Sequence, residues 1–135
     1  STHEMASYEP NSFDICNASF SINYSRDLDI IFSNVHSWLK LDGIFTFSIP
    51  HPIWLQTRSE NMDFAKPHKI WIKMRSYDLE IFNYYHPLDS FIQLINKYNF
   101  KLLHLMETTI SKKYKGWSED KYRLPNAYVF KLQKI

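Results

Sequence analysis

Hydrophobic positions along the chain change period several times, and each change marks an element. Residues 15–20, "ICNASF", form a short apolar run between the turn-like "EPNS" at 9–12 and the polar "NYSRD" at 23–27, the pattern of a buried strand. Leu28, Ile31, Phe32, Val35 and Leu39 then recur at helical spacing, which predicts an amphipathic helix. Ser25 stands where a cap would accept amide protons, and Asp27 and Asp29 suit the positive end of the helix dipole. Gly43 is expected to end this helix in a left-handed conformation. "IFTFSI" at 44–49 reads as a second strand, closed by Pro50, which cannot donate to a ladder. Two strands joined by a helix predict a parallel crossover.

The second half has a weaker signal. "IWIKMRSYDLEIFNYY" at 70–85 alternates only in part, as a short hairpin or a covering flap would. Leu88, Phe91, Ile92, Ile95 and Tyr98 return to helical spacing after Pro87, whose missing amide proton costs nothing at a helix start, and the helix is expected to end near Asn99. "FKLLHLMETTI" from 100 and "AYVFKLQKI" from 127 read as two closing strands around a polar, basic loop at 111–126. No repeat, low-complexity tract or linker interrupts the pattern, so residues 1–135 read as one domain.

Composition narrows the function classes. Hydrophobic residues make up 44% and aromatic residues 17% of the 135, a globular balance. A formal net charge of +2 gives no reason to expect nucleic acid or an anionic membrane as partner. Cys16 is the only cysteine, and no apolar run approaches the roughly 18 residues of a membrane span, so a cytoplasmic, reducing location is expected. The six histidines show no His-x-x-x-His spacing, no Cys-x-x-Cys exists, and no metal is expected. No nucleophile-elbow sequence is present either.

The segment 12–52, "SFDICNASFSINYSRDLDIIFSNVHSWLKLDGIFTFSIPHP", resembles the second half of a class I S-adenosylmethionine-dependent methyltransferase, whose members show "SFDxVxSSLxLHYxxDLxxxLxxxxRxLKPGGxFxFSxxHP". Ser12, Phe13, Asp14, Tyr24, Asp27, Leu28, Leu39, Lys40, Gly43, Phe45, Phe47, His51 and Pro52 fall in register with it. "YYHPLDSFIQLINKYNF" from 84 is similar to the same family's "YHRxLxxYxxxLxxAGF". The resemblance implies a partial Rossmann-like α/β sheet made of the family's fourth to seventh strands, the last antiparallel, with the first half of the fold absent. It also implies departures. With only Gly43 and Gly116 in the chain, no glycine-rich cofactor loop can be written, and Asn23 replaces the family's usual histidine.

By the same resemblance Asn17, Ala18, Ser19 and Phe20 would meet the cofactor, S-adenosylmethionine, provided the missing half is supplied; otherwise they are a strand end packed under a loop. His51 and His86 would lie on the substrate side as general base or acceptor-orienting groups, or else be loop histidines bonded to backbone carbonyls. Trp54 and Tyr85, with Tyr84 and Trp71, could form an aromatic rim for a planar or cationic small molecule, or cover a core. The isolated chain is expected to be inactive, a truncated enzyme domain or a non-catalytic module derived from one. Because the segment from Ile15 to Phe20 would border the missing first strand and carries no charge or proline, it is expected to pair with a second copy or another chain.

Overall fold

A computed structural model describes residues 8–74, 78–117 and 119–135, with only the backbone of Asp120. β1 (Phe13–Ser19) leads through a 3-10 turn at Ile22–Tyr24 to α1 (Leu28–Trp38), which runs directly into β2 (Leu39–Pro50). A short α2 (Pro52–Gln56) precedes the strands β3 (His68–Lys73) and β4 (Glu80–Tyr85). Then follow α3 (Leu88–Lys97), β5 (Phe100–Thr109) and β6 (Pro125–Lys134).

Four strands form a mixed sheet in the order β1-β2-β6-β5, with β1 and β2 parallel and β6 antiparallel to both neighbours. Helices α1 and α3 pack on one face of it. Phe32 of α1 and Phe91 of α3 meet Phe45, Phe47 and Phe130 of the sheet in edge, tilted and stacked contacts at 5.6–5.8 Å, and Phe47 stacks on Phe130 at 4.6 Å, a geometry that aromatic rings favour. On the opposite face Asn17, Leu103, His104 and Lys131 are exposed. An α/β sheet with a parallel pair is ordinarily covered on both sides, and among the described residues α1 and α3 cover one of them. β3 and β4 pair as a separate antiparallel hairpin, cored by Leu55, Ile70 and Tyr85. Residues 75–77, within the segment expected as a short hairpin or covering flap, lie outside the described residues.

Two expected helix ends are corrected. Asp27, not Ser25, caps α1: its carboxylate accepts the Ile30 amide proton at 3.3 Å, while the Ser25 hydroxyl donates to the Asp27 carbonyl. Gly43 does not terminate the helix, which ends five residues earlier at Trp38 and passes into β2 without a loop. The left-handed residue is Asp42, at φ 65°. Between Phe13↔Leu39 and Ile15↔Ile44 the register jumps, so β2 bulges, and a Cβ on Gly43 would sit 2.7 Å from the Lys40 carbonyl oxygen. Glycine is required there by the close approach of backbone.

Candidate functional site

The carboxyl ends of β1 and β2, the segments that leave them, and β4 enclose the polar residues that sequence singled out. After β1 the chain turns at Phe20, which adopts a left-handed φ of 47°. Its amide donates to the Ser48 carbonyl and hydroxyl oxygens, each at 3.1 Å. Asn17 Oδ1 accepts from Thr46 Oγ1 at 2.8 Å. Ser19 lies beside Ser48 with its hydroxyl at 3.5 Å. Ala18 packs against the helix-side core. Strand alternation therefore divides the four: Asn17 and Ser19 face away from α1, Ala18 faces toward it, and the Phe20 ring is exposed.

His51 follows β2 and is buried. Its Nδ1 accepts the Ile53 amide proton at 3.1 Å and caps α2, so Nε2 carries the ring proton and donates to Glu107 Oε1 at 3.0 Å. The ring lies 4.4 Å from that of Tyr128, whose hydroxyl also bonds Glu107 and is pushed up in pKa first by burial and then by that carboxylate. His86 Nε2 donates to the Ser25 carbonyl at 3.0 Å. Burial holds its pKa below the ordinary imidazole value, and the Ser25 bond opposes that shift only in part. His51 thus packs on Tyr128 and His86 on Phe91, each engaged with the protein itself.

Near His86 lies a polar joint whose pairing sequence reasoning missed. Asn23, in the turn after β1, donates its amide to the Asn83 Oδ1 of β4, and both side chains are buried. Asn23 Oδ1 has no partner among the described residues. A cavity of about 20 Å³, room for one water, adjoins it and is lined by Tyr85, His86, Leu88, Phe91 and Tyr128 among others. The signal available in sequence was Asn83 inside the apolar "IFNYY", and the replacement of the family's histidine by Asn23.

Of the four residues expected to form an aromatic rim, Trp71 and Tyr84 lie on the exposed face of the hairpin, and Tyr85 and Trp54 are engaged elsewhere. Tyr85 is buried in the hairpin core, with its hydroxyl donating to the Phe64 carbonyl at 2.9 Å. Trp54 stands 5.0 Å from Trp117, and Arg58 and Lys121 lie within 6 Å of both indoles. Near the end of β1 the exposed rings are Phe20, Tyr24 and Phe82, joined by Trp71 of the expected rim, with the Lys69 ammonium over Phe82 and Trp71. Among the described residues no group of three or more His, Cys, Asp or Glu side chains could hold a metal, and no helix is long and apolar enough to cross a membrane.

No protein-family model matches the chain, and no curated protein matches it. Solved structures do. A proposed S-adenosylmethionine-dependent methyltransferase from Listeria monocytogenes superposes over 100% of this chain and 67% of its own length, with a TM-score of 0.77 and 19% identity. An S-adenosylmethionine-dependent methyltransferase from Mesorhizobium loti matches over 97% of this chain and 66% of its own, at TM-score 0.69 and 17% identity. A third, from Methanosarcina mazei, matches over 97% and 63%, at TM-score 0.69 and 14% identity. The protein therefore has an α/β fold shared with S-adenosylmethionine-dependent methyltransferases. It spans about two thirds of the length of the structures it matches.

Proposed function

We propose that the chain is the carboxyl-terminal half of an S-adenosylmethionine-dependent small-molecule methyltransferase, equivalent to its fourth to seventh strands, and that alone it transfers no methyl group. The observation that carries this reading is the open edge of β1 in the order β1-β2-β6-β5. In doubly wound sheets ligands bind beyond the carboxyl ends of the strands, where strand order reverses. With nothing beyond β1 among the described residues, one wall of such a crevice is present.

The residues at hand do not fit the whole cofactor. Asn17 and the Phe20 amide are already bonded to β2, and no glycine-rich loop is available, since Gly43 sits in the β2 bulge and Gly116 in the 111–117 loop. Asn17, Ala18, Ser19 and Phe20 would contribute one lip of the site once the other half is supplied. Methyl transfer needs both reactants clamped in line, which a single wall cannot do. On this reading His51, whose two ring nitrogens are already bonded, orients an acceptor, whereas His86, whose Nε2 donates to Ser25, keeps Nδ1 to act as general base or to orient an acceptor. The same reading places the protein in the cytoplasm, consistent with its single free Cys16.

A second, non-catalytic reading is favoured by the same missing loop: an interaction module derived from a methyltransferase. Calorimetry separates the two. The isolated chain should show no saturable binding of S-adenosylmethionine at low micromolar concentration, and a low-micromolar dissociation constant for it would refute the half-site reading. Binding that appears only when a second, complementary chain is added would support the enzymatic origin; no binding in either case would support the module.

A further inference from the structure

Hydrogen-bond directions at the buried joint of Asn23 and Asn83 are dictated by its surroundings. Asn83 Nδ2 donates to the Phe82 carbonyl at 2.8 Å, so Asn83 turns Oδ1 toward Asn23, Asn23 answers with Nδ2, and Asn23 Oδ1 is left as a bare acceptor. Asn23 is 6% exposed, and that oxygen has no partner among the described residues. His86 is fixed in the same way. The Ser25 carbonyl can only accept, so His86 Nε2 holds the ring proton and Nδ1 is a second acceptor. The register of the hairpin adds a donor. The Lys73 amide donates away from β4, to the Arg58 carbonyl, so Ile70 with Asn83 and His68 with Tyr85 are the bonded pairs. The Tyr84 amide therefore points out of the hairpin, along the edge of β4 that lies beside the Ile22–Tyr24 turn. Asn23, Tyr84 and His86 all line the cavity of about 20 Å³. Its other walls come from β2, α2, α3 and β6, so it does not depend on what lies beyond β1.

We propose that this cavity is a binding site for one water molecule, which donates to Asn23 Oδ1 and to His86 Nδ1 and accepts from the Tyr84 amide. The volume admits a single water. Two acceptors and one donor are the complement of its two hydrogens and a lone pair, and about three hydrogen bonds is the usual number for a buried water. An ammonium ion, of similar size, has no lone pair for the Tyr84 amide. A buried acceptor left unbonded costs about 1–3 kcal/mol, which is the reason for a water to stay. The site ties three parts of the chain together: the turn after β1, the second strand of the hairpin and the residue that leads into α3. It also determines how His86 is reached, because Nδ1, the nitrogen left to it for proton chemistry, then faces the water.

Nuclear magnetic resonance on the chain as it stands tests this. Water-to-protein Overhauser spectra should show a bound, long-lived water at the Tyr84 amide and at the Asn23 side-chain amide. The nitrogen-15 spectrum of His86 should show Nε2 protonated and Nδ1 shifted as a hydrogen-bonded acceptor is. The double variant Asn23→Leu/Asn83→Leu removes both members of the joint together, an exchange that costs far less than removing one. It should keep the far-ultraviolet circular dichroism spectrum and lose the bound-water signal at Tyr84. Its His86 Nδ1 resonance should move downfield toward that of an unbonded nitrogen. If the double variant does not fold, the spectra of the unaltered chain decide alone. No bound water in that chain, a His86 protonated at Nδ1 in its neutral form, or a bound-water signal that survives in the folded double variant would each overturn the proposal. None of these outcomes bears on S-adenosylmethionine binding, so the water site and the methyltransferase reading stand or fall separately.

Discussion

Lys134 reaches from the end of the last strand to the end of the first helix. Its ammonium donates to the His36 carbonyl at 2.7 Å, the Leu39 carbonyl at 2.8 Å and Asn11 Oδ1 at 3.1 Å, satisfying carbonyls that α1 leaves without intrahelical partners. Lys134→Met keeps the aliphatic stem and removes the donors, so it should destabilise the chain by about 1–3 kcal/mol in denaturant titration. Lys134 also acts on His36. Burial and that ammonium hold the His36 pKa below the ordinary imidazole value, and burial does the same for His86. The folded chain therefore binds fewer protons than the unfolded chain near the ordinary value of about 6.5, and the stability due to both residues is complete above that pH and lost as pH falls through their folded values. Thermal melts should show a lower midpoint at about pH 5 than at about pH 7.5, and the H36Q/H86Q double variant should flatten the difference.

At the scale of elements, β1, α1, β2, α3, β5 and β6 lay where alternation and helical spacing put them, but α2 was not expected, β1 is exposed where a buried strand was expected, and several ends moved. The second strand was expected from residue 44, but β2 begins at Leu39, because the chain leaves α1 already extended and its first residues pair with β1 through a bulge. Nothing local in "LKLDGI" announces that bulge, since it depends on where β1 lies alongside. Gly43→Ala should cost about 1–3 kcal/mol as an overpacked position, with the folded state retained, and a neutral result in urea unfolding would mean that the Lys40 carbonyl moves aside at little cost. The hairpin shows the reverse case. Its exposed face pairs Trp71 with Phe82 and Lys69 with Tyr84, whereas its buried face takes Ile70, Asn83 and Tyr85. Aromatic residues sit on both faces, which is why the alternation at 70–85 was only partial in the sequence.

At the scale of the whole molecule, one sheet face carries no helix among the described residues, and β1 and β5 are both edges of the sheet. Sequence alone determined the kinds of elements and their order, because hydrophobic period and proline and glycine chemistry act over a few residues. It also determined, through the 12–52 motif, the fold to expect. Which residues meet was decided only by the tertiary structure. The Asn23 and Asn83 pair, the Lys134 cap on α1 and the His51 bond to Glu107 join positions 56 to 98 residues apart. The direction of each β1 amide was likewise invisible in "ICNASF". The choice between Cys16 and Ala18 on the one hand, and Ile15, Asn17 and Ser19 on the other, is made by which residues β2 engages, a property of the paired strands and not of either one.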